Sequence, residues 1–176
     1  MFINPKRILE EGILTLPKTI KEGAVLQPNG IDLSITSVSR ILEYSDCFVG
    51  DDVKTQHHLK SGKDITECYH RLEQKDVNGY RLKKGEVYNV ETGYELHLPE
   101  DMVAFIFTRS SLNRNGILVG SGLWDSGYHG PVGATIYPFR DLTLIPPCRV
   151  AQIAFMKAES ALLYNGSYND AAMKKF

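Results

Sequence analysis

The sequence lacks the features of membrane-spanning proteins, of secreted proteins and of small domains stabilised by disulfides or zinc. Its longest uninterrupted apolar run extends only from Met102 to Phe107, whereas a spanning helix needs about 20 apolar residues. Charged residues already stand near the N-terminus, so no apolar core of a signal peptide is recognisable. The three cysteines have no short spacing, which disfavours a disulfide framework or a zinc ribbon; they are Cys47, Cys68 and Cys148. We therefore expect a cytoplasmic protein with reduced thiols and no membrane partner.

An excess of either charge is also missing. The chain has 20 basic and 21 acidic residues and a net charge of -1, so no sequence-wide basic field attracts a nucleic acid. Apolar residues make up 43% and charged residues 23% of the 176 positions, close to the average for globular proteins. This composition predicts a single domain over residues 1–176 without a nucleic-acid partner.

The common nucleotide-binding fingerprints are absent as well. Gly62-Lys63 is followed by Asp64, which excludes a P-loop, and the Gly120-x-Gly122 pattern has Asp125 in place of the third Rossmann glycine. Pro147-Cys148 lacks the second cysteine of a zinc-dependent nucleobase deaminase, and no histidine has a glutamate two residues further on. Any nucleotide chemistry must therefore use another kind of site.

Turn signals and periodicity favour an all-β fold with a short N-terminal helix. Asn4 and Pro5 are typical of a helix start and Gly12 of a helix end, which predicts a helix over residues 4–11. Alternation at Ile31, Leu33 and Ile35 predicts a half-buried strand, and the apolar run 102–107 predicts a strand buried on both faces. Further strands are predicted around residues 86–90, 95–98, 132–137, 142–145 and 150–156. Short strands between Gly, Pro and Asn turns indicate a β-barrel or a double-sheet jelly roll.

Two segments stand apart from this strand pattern. Residues 46–80 are rich in charge and contain the turn signals Ser61-Gly62 and Asn78-Gly79, so we expect a polar surface excursion with one short helix or hairpin. Residues 160–176 have weak periodicity, which fits either a frayed end or a tail that folds over a ligand.

Three segments place polar groups where a strand-rich core should be apolar. Residues 27–33 put Asp32 between apolar strand residues, residues 108–114 surround two serines with two arginines, and residues 120–130 combine glycines, aromatics and Asp125. Taken singly, each also fits a capped turn or a solvated strand end. Together they supply a carboxylate, a cationic hydroxyl cluster and a hairpin that flat ligands can approach, a set that suits a nucleoside triphosphate.

In this order the segments resemble the motifs of the dUTPase and dCTP deaminase superfamily. The matching residues are Gln27-Pro28-x-x-x-Asp32-Leu33, Thr92-x-x-Glu95 with Leu98-Pro99, Arg109-Ser110-Ser111-Leu112, Gly122-x-x-Asp125-x-x-Tyr128-x-Gly130, and Arg149-x-Ala151-Gln152 with Phe155. The resemblance implies a distorted jelly-roll β-barrel that assembles as a homotrimer with active sites at subunit interfaces.

One position separates the two branches of this superfamily. By resemblance, zinc-free dCTP deaminases have a glutamate at the position of Thr135, and no acid occurs between Asp125 and Asp141. Since a threonine cannot shuttle the proton that deamination requires, the resemblance points to a dUTPase of the deaminase-type lineage. Such an enzyme converts dUTP to dUMP and pyrophosphate, which keeps uracil out of DNA and supplies dUMP for thymidylate synthesis.

The resemblance also implies a role for each matching residue. Asp125 is expected to be the general base that orients water for attack on the α-phosphorus. Tyr128 is expected to pack on the deoxyribose, and backbone groups near Gly122 and Gly133 to read the uracil edge. Mg²⁺ is expected on the phosphates, helped through water by Asp32. The remaining substrate-binding residues implied by the resemblance are Arg109, Ser110, Ser111, Arg114 and Gln152.

Some features depart from the dUTPase pattern and leave alternatives open. The glycine-rich closing arm of trimeric dUTPases is missing, and residues 164–170 are similar in outline to a deaminase tail, with Ser167 where a lysine is usual. One alternative is therefore a dCTP deaminase, or a bifunctional dCTP deaminase and dUTPase, with another acid replacing the glutamate. The other is a regulatory module that binds nucleotides without turnover.

Overall fold

The computed structural model describes residues 1–41, 45–50, 53–59, 69–72 and 79–165. In chain order its helices are α1 (Pro5–Glu10), α2 (Glu22–Val25) and α3 (Ser110–Arg114). Its strands are β1 (Leu14–Thr15), β2 (Leu26–Gln27), β3 (Gly30–Ser34), β4 (Ser37–Ile41), β5 (Ser45–Gly50), β6 (Val53–Leu59), β7 (Tyr69–Arg71), β8 (Tyr80–Leu82), β9 (Tyr88–His97), β10 (Met102–Thr108), β11 (Ile117–Gly120), β12 (His129–Pro138), β13 (Leu142–Leu144) and β14 (Arg149–Lys157). No helix in the described ranges has the length and apolar character needed to cross a membrane.

The N-terminal helix forms as its cap residues predict. The side chain of Asn4 accepts a hydrogen bond from the Lys6 N–H at 3.0 Å, and Pro5 occupies the first turn. At the other end, Gly12 has φ +69° and donates its N–H to the Leu9 carbonyl, while Ile13 donates to Ile8. These two bonds form a Schellman motif, whose left-handed position favours glycine. The helix predicted over residues 4–11 is therefore confirmed.

Two principal antiparallel sheets enclose the core. One has the order β11-β12-β9-β4-β7, with β1 also pairing with β9, and the other has the order β10-β14-β3-β2. Among the described residues, β8 pairs with β13 and β5 pairs with β6 outside these sheets. A hydrogen bond of 3.0 Å from the Tyr94 hydroxyl in β9 to the Asp32 carbonyl in β3 connects the two sheets. The all-β jelly-roll class predicted from the sequence is confirmed.

The strands predicted near residues 86–90 and 95–98 are one continuous strand, β9. Its inward side chains alternate without interruption from Tyr88 to Leu96. Gly93 lies inside the strand with φ +69°, and the register against β12 shifts between Pro131 and Gly133. The irregularity therefore stays within the strand as a bulge and does not end it.

The burial of two strands is the opposite of what the sequence predicts. All five residues of β3 are buried, including Asp32 at 1% exposure, whereas Phe107 of β10 is 52% exposed. The prediction of a half-buried β3 was wrong. Asp32, on its second face, can be buried because it has arginine and amide partners, described below. The prediction that 102–107 is buried on both faces was wrong because β10 directs Phe105 and Phe107 away from the core, where they pack edge to face at 5.2 Å.

Part of the polar excursion predicted at residues 46–80 is a hairpin. β5 pairs antiparallel with β6 through Cα partners such as Ser45 and Leu59. β7 returns the chain to the larger sheet by pairing with β4. Residues 51–52, 60–68 and 73–78 lie outside the described residues, as do residues 166–176 of the predicted tail.

Candidate active site

A pocket of about 510 Å³ lies at the edge of the larger sheet, beside the loop between β11 and β12. The end of β11, the outward face of β12 and one residue of β9 form its floor, and the loop forms its rim. The lining residues are Asn89, Gly120, Ser121, Gly122, Leu123, Trp124, Asp125, Tyr128, Pro131, Gly133, Ala134, Thr135 and Tyr164. Gly122, Asp125, Tyr128 and Gly133, which the sequence predicts to act together, therefore share one pocket.

Asp125 is held at the rim by hydrogen bonds of the residues on both sides of it. Trp124 exchanges two backbone hydrogen bonds with Ala104, at 2.9 and 3.1 Å, which join the loop to β10. The buried Ser126 hydroxyl donates to the Met102 carbonyl at 3.0 Å. The side chain between these anchors is exposed and lines the pocket. A carboxylate placed in this way can accept a proton from water inside the pocket.

Tyr128 forms a largely buried wall of the same pocket. Its ring is 4% exposed, and its hydroxyl donates to the Pro131 carbonyl at 2.9 Å. Gly127 precedes it with φ +80°, a conformation that glycine adopts without strain and that reverses the chain after Asp125. The ring face, with its hydroxyl already bonded, is therefore suited to apolar packing against a ligand.

The pocket floor carries neutral polar side chains. Thr135 of β12 is the direct cross-strand partner of Asn89 in β9, and on its other side it pairs with Gly120 of β11. Side chains at directly opposed positions share one face of a sheet. Thr135 and Asn89 can therefore donate and accept hydrogen bonds at the floor, but neither acts as a proton-transfer group near neutral pH.

A second cluster of polar groups lies in the smaller sheet and is centred on Asp32. We call it the arginine cluster; its other members are Gln27, Arg109, Arg149 and Gln152. Oδ2 of Asp32 accepts hydrogen bonds from Nη1 of Arg149 at 3.1 Å and from Nε2 of Gln27 at 3.2 Å. Nε of Arg109 approaches the same oxygen to 3.5 Å. The arginine side chains remain 30% and 38% exposed, whereas the Asp32 side chain is 2% exposed. The cluster therefore presents two positive groups to solvent above a buried carboxylate, an arrangement suited to phosphate binding.

Gln152 belongs to this cluster, and its side chain packs so close to residue 30 that only glycine fits there. Gln152 is the cross-strand partner of Asp32. A Cβ added to Gly30 would lie 2.7 Å from Cγ of Gln152 and 2.6 Å from the Ile153 carbonyl oxygen. Only a residue without a side chain therefore leaves room for Gln152 beside Asp32.

Ser110, Ser111 and Arg114 follow this cluster on α3. All three are exposed, and the N–H of Arg109, immediately before the helix, donates to the Val150 carbonyl at 3.2 Å. This bond continues the β10–β14 pairing to the start of α3. Both serines therefore lie at the start of α3, directly after Arg109.

The electrostatics of the cluster are dominated by burial. Burial raises the pKa of Asp32 above its ordinary value, and the positive charges of Arg109 and Arg149 oppose this shift, as do hydrogen bonds from Gln152 and Arg149. The pKa of the nearby Cys148 thiol is likewise raised by burial and opposed by the same two arginines. Cys148 is a free cysteine, and Cys47 and Cys68 are not among the residues whose side chains are described.

The partners of Asp32 are not those of a metal ligand. Arginine and amide N–H groups occupy its Oδ2, and Mg²⁺ prefers oxygen ligands. No three histidine, cysteine or acidic side chains within the described part of the chain come together as a metal site. These residues do not build a protein-held Mg²⁺ site, and the water-mediated role expected for Asp32 stays a prediction.

The predicted site residues thus form two separate groups within the chain. None of the described residues of the arginine cluster or of α3 lines the pocket. Sequence reasoning did not assign a site role to Arg149, Asn89 or Tyr164. Arg149 lies in a recognised motif and could have been found from its charge, whereas the other two depend on strand register and on the path of the chain after β14.

Comparison with known proteins identifies the family. The family model described as "dCTP deaminase-like" matches residues 6–158. A probable deoxyuridine 5′-triphosphate nucleotidohydrolase of Aeropyrum pernix is 29% identical over 172 residues, covering 96% of this chain and 97% of that protein. A dUMP-forming dCTP deaminase of Methanothermobacter thermautotrophicus is 31% identical over 156 residues, covering 85% and 74%. The chain belongs to the dCTP deaminase-like family.

A solved structure supports the fold assignment. The 2′-deoxycytidine 5′-triphosphate deaminase of Agrobacterium tumefaciens superposes with a TM-score of 0.64 and 22% sequence identity. The match covers 91% of this chain and 47% of the Agrobacterium chain, so this chain spans about half the length of that protein. The superposition shows a shared fold.

Proposed function

We propose that the protein hydrolyses dUTP to dUMP and pyrophosphate. The observation that carries the proposal is that Asp125 and the neutral Thr135 line one pocket of nucleoside size. Relatives named as deoxyuridine triphosphate nucleotidohydrolases match nearly the whole chain or most of it. In a cell this activity would keep uracil out of DNA and supply dUMP for thymidylate synthesis.

In the proposed reaction, Asp125 accepts a proton from a water molecule. The water oxygen forms a bond to the α-phosphorus in line with the leaving group, and the bond from the α-phosphorus to the bridging oxygen breaks. The products are dUMP and pyrophosphate. Holding the water and the phosphate chain in line supplies much of the rate enhancement, because reactants in fixed geometry need no further ordering.

The remaining residues bind and orient the substrate in this proposal. The uracil edge meets backbone groups near Gly122 and Gly133, and the deoxyribose packs on Tyr128. Positive groups of the arginine cluster offset the charge that develops on the phosphates. The proposed phosphate-binding residues are Arg109, Ser110, Ser111, Arg114, Arg149 and Gln152. Mg²⁺ would arrive on the triphosphate, and no step above depends on a protein-held metal.

We further propose a homotrimer in which each active site lies between two subunits. The pocket and the arginine cluster are separate in one protomer, so a partner subunit would bring the missing group. Two exposed apolar patches support this assembly: one contains Phe2 and Phe107, and the other contains Leu118, Tyr137 and Phe139. Two different patches suit the head-to-tail contacts of a closed ring.

Other parts of the proposal concern the whole chain. We propose a single cytoplasmic domain over residues 1–176, in which residues 160–176 act as a tail that helps to close the site. The expected partners are the nucleotide and further copies of the chain, with neither nucleic acid nor membrane among them.

The dUMP-forming deaminase relative favours one second candidate, a bifunctional enzyme that first releases ammonia from dCTP. The direct test is to incubate the protein with Mg²⁺ and either dUTP or dCTP, and to measure pyrophosphate and ammonia together. Pyrophosphate from dUTP without ammonia from dCTP supports the dUTPase. Ammonia from dCTP supports the bifunctional enzyme, and binding of dUTP without either product supports the regulatory module.

A further inference from the structure

Two histidines face each other at one end of the larger sheet. His97 is the last residue of β9, His129 is the first residue of β12, and the two are direct Cα partners in the antiparallel pairing. Directly opposed side chains share one face of a sheet. Their ring centroids are 5.7 Å apart, and the ring planes are tilted by 45°. The strand register therefore makes these two imidazoles neighbours.

Backbone hydrogen bonds hold both positions. The His97 N–H donates to the Ile13 carbonyl at 2.9 Å, and the Leu98 N–H donates to the Tyr128 carbonyl at 2.9 Å. The first bond attaches the end of β9 to the segment after α1, and the second attaches it to the residue before His129. The two rings can therefore adjust by side-chain rotation without movement of the strands.

The separation of the rings suits one metal ion shared between them. Zn²⁺ binds a histidine nitrogen at about 2.0–2.1 Å, which places the centres of two tetrahedrally arranged imidazoles about 5 Å apart. The observed centroid distance is 5.7 Å. A small rotation of His97 or His129 therefore brings one nitrogen of each ring onto the same ion.

The cavity beside these rings has room for an ion together with its water ligands. Its volume is about 500 Å³, and both histidines line it with two acidic residues, Glu11 and Glu100. Among the described residues that line it, none is a lysine or an arginine. Glu11 is paired with Arg7 at 2.6 Å, and the side chain of Glu100 is exposed. Acidic walls without an opposing base attract cations.

This cavity lies next to the pocket that contains Asp125 and is separate from it. Gly127 lines the cavity, Tyr164 lines both spaces, and neither of the two histidines lines the pocket. The Tyr164 N–H donates to the Ser126 carbonyl at 2.8 Å, which holds the wall between the two spaces. An ion on His129 would therefore sit behind the loop of Asp125 without entering the pocket.

We propose that His97 and His129 bind a divalent transition-metal ion of the zinc and nickel class. Imidazole nitrogens suit these ions, whereas Mg²⁺ and Ca²⁺ prefer oxygen ligands. The protein supplies two nitrogens and water supplies the remaining ligands. The ion joins the end of β9 to the start of β12, and so fixes the strand that follows the loop of Asp125. The site is distinct from any Mg²⁺ that accompanies a triphosphate and does not depend on the proposed function.

Calorimetric titration with Ni²⁺ tests the site in the full chain, purified without a histidine tag. Wild type should have one Ni²⁺ site per chain that His97→Asn and His129→Asn bind at least about tenfold more weakly, because even the outer partners of a metal ligand contribute about 10- to 100-fold in affinity. His70→Asn is the matched control, since it removes a histidine of β7, and it should bind Ni²⁺ like wild type. Mg²⁺ should not compete for the site.

Nuclear magnetic resonance of the histidine rings locates the ion in wild type itself. On addition of Zn²⁺, the ring signals of His97 and His129 should shift together up to one ion per chain, and a chelator should reverse the shift. The spectra of the two variants assign these signals. Because the side chain of His97 is exposed, His97→Asn without metal should melt at the temperature of wild type.

Each result decides the proposal. It would be overturned by a wild type that binds no Ni²⁺, by equal affinity in wild type and both variants, or by a Zn²⁺-induced shift of only one of the two rings. A loss of affinity in His70→Asn as large as that in His97→Asn would also overturn it. None of these readouts involves dUTP, so the metal site and the proposed function can fail independently.

Discussion

Asp32 and Arg149 are 117 residues apart in the chain, yet their carboxylate and guanidinium groups meet at 3.1 Å in the smaller sheet. The register of β14 against β3 brings them together, since the Asp32 pairing partner is Gln152. Nη1 of Arg149 also donates to the carbonyl of Ala24 in α2 at 3.0 Å. The buried carboxylate therefore orients an arginine that remains partly exposed for a ligand.

Arg149→Gln should weaken the binding of the phosphate chain. A hydrogen bond to a charged group contributes about 1.5–3 kcal/mol, so we expect a KM for dUTP raised about tenfold or more. The affinity for dUMP should change less, because dUMP has a single phosphate. Steady-state kinetics and titration with dUMP measure the two effects. Arg81→Gln is the control, since Arg81 is an exposed arginine paired with Asp141; equal effects of both variants would contradict the assignment.

The raised pKa of Asp32 predicts a pH-dependent stability. The folded protein binds a proton at Asp32 more tightly than the unfolded chain does. Its contribution to the free energy of unfolding therefore falls as pH rises from the ordinary value of 3.8 through the raised pKa. Melting temperatures across this pH range should show wild type losing stability relative to Asp32→Asn. Above the raised pKa, the difference in melting temperature between the two proteins should stay constant.

Asp141 is the control for this titration because its shift has the opposite sign. A backbone hydrogen bond from Lys84 lowers the pKa of Asp141, helped by the charge of Arg81. Wild type should therefore lose stability relative to Asp141→Asn as pH falls through the lowered pKa. A flat difference for Asp32 would show that burial does not dominate at this carboxylate.

Asp125→Asn should abolish hydrolysis and keep nucleotide binding. A positioned general base contributes about 10² to 10⁴ in rate, so we expect a fall in kcat of about this size with little change in the affinity for dUMP. Asp101→Asn removes a surface carboxylate paired with Lys157 and should be fully active. An equal loss of binding and turnover in Asp125→Asn would show that Asp125 supports the loop and does not act on water.

Tyr128→Ala should reduce the preference for dUTP over UTP. In the proposed function this ring packs on the deoxyribose, so its removal should open space for a 2′-hydroxyl. The ratio of kcat/KM for the two substrates measures this discrimination. Tyr128→Phe loses only the hydroxyl that bonds to the Pro131 carbonyl and should keep the wild-type ratio. An unchanged ratio in Tyr128→Ala would remove Tyr128 from the sugar pocket.

Gly30→Ala and Gly23→Ala should change stability in opposite directions. The new Cβ at position 30 would clash with the Ile153 carbonyl and the Gln152 side chain, and overpacking of this kind costs about 1–3 kcal/mol. Gly23 lies in α2 with nothing within 4 Å of an added Cβ, so alanine there should stabilise the helix by up to about 1 kcal/mol. Denaturant unfolding measures both, and a neutral Gly30→Ala would contradict the close approach.

The sequence by itself determined those features of this protein that depend on local interactions. The cap residues of α1 act within a few positions, so Asn4, Pro5 and Gly12 suffice to predict it. Alternating side chains likewise predict that β3 is a strand, and the glycines after β11 predict a loop that reverses between strands. The same motifs indicate which residues gather around Asp125, because they are neighbours in the chain.

Only the tertiary structure decided which groups face each other across the sheets. The burial of Asp32 depends on arginines and an amide from distant segments, and the exposure of Phe107 depends on which face of β10 meets the core. Tyr164 reaches the pocket only because the chain after β14 folds back onto Ser126. Local periodicity contains no information on such long-range pairing, since strand register and sheet packing are set by contacts between residues far apart in sequence.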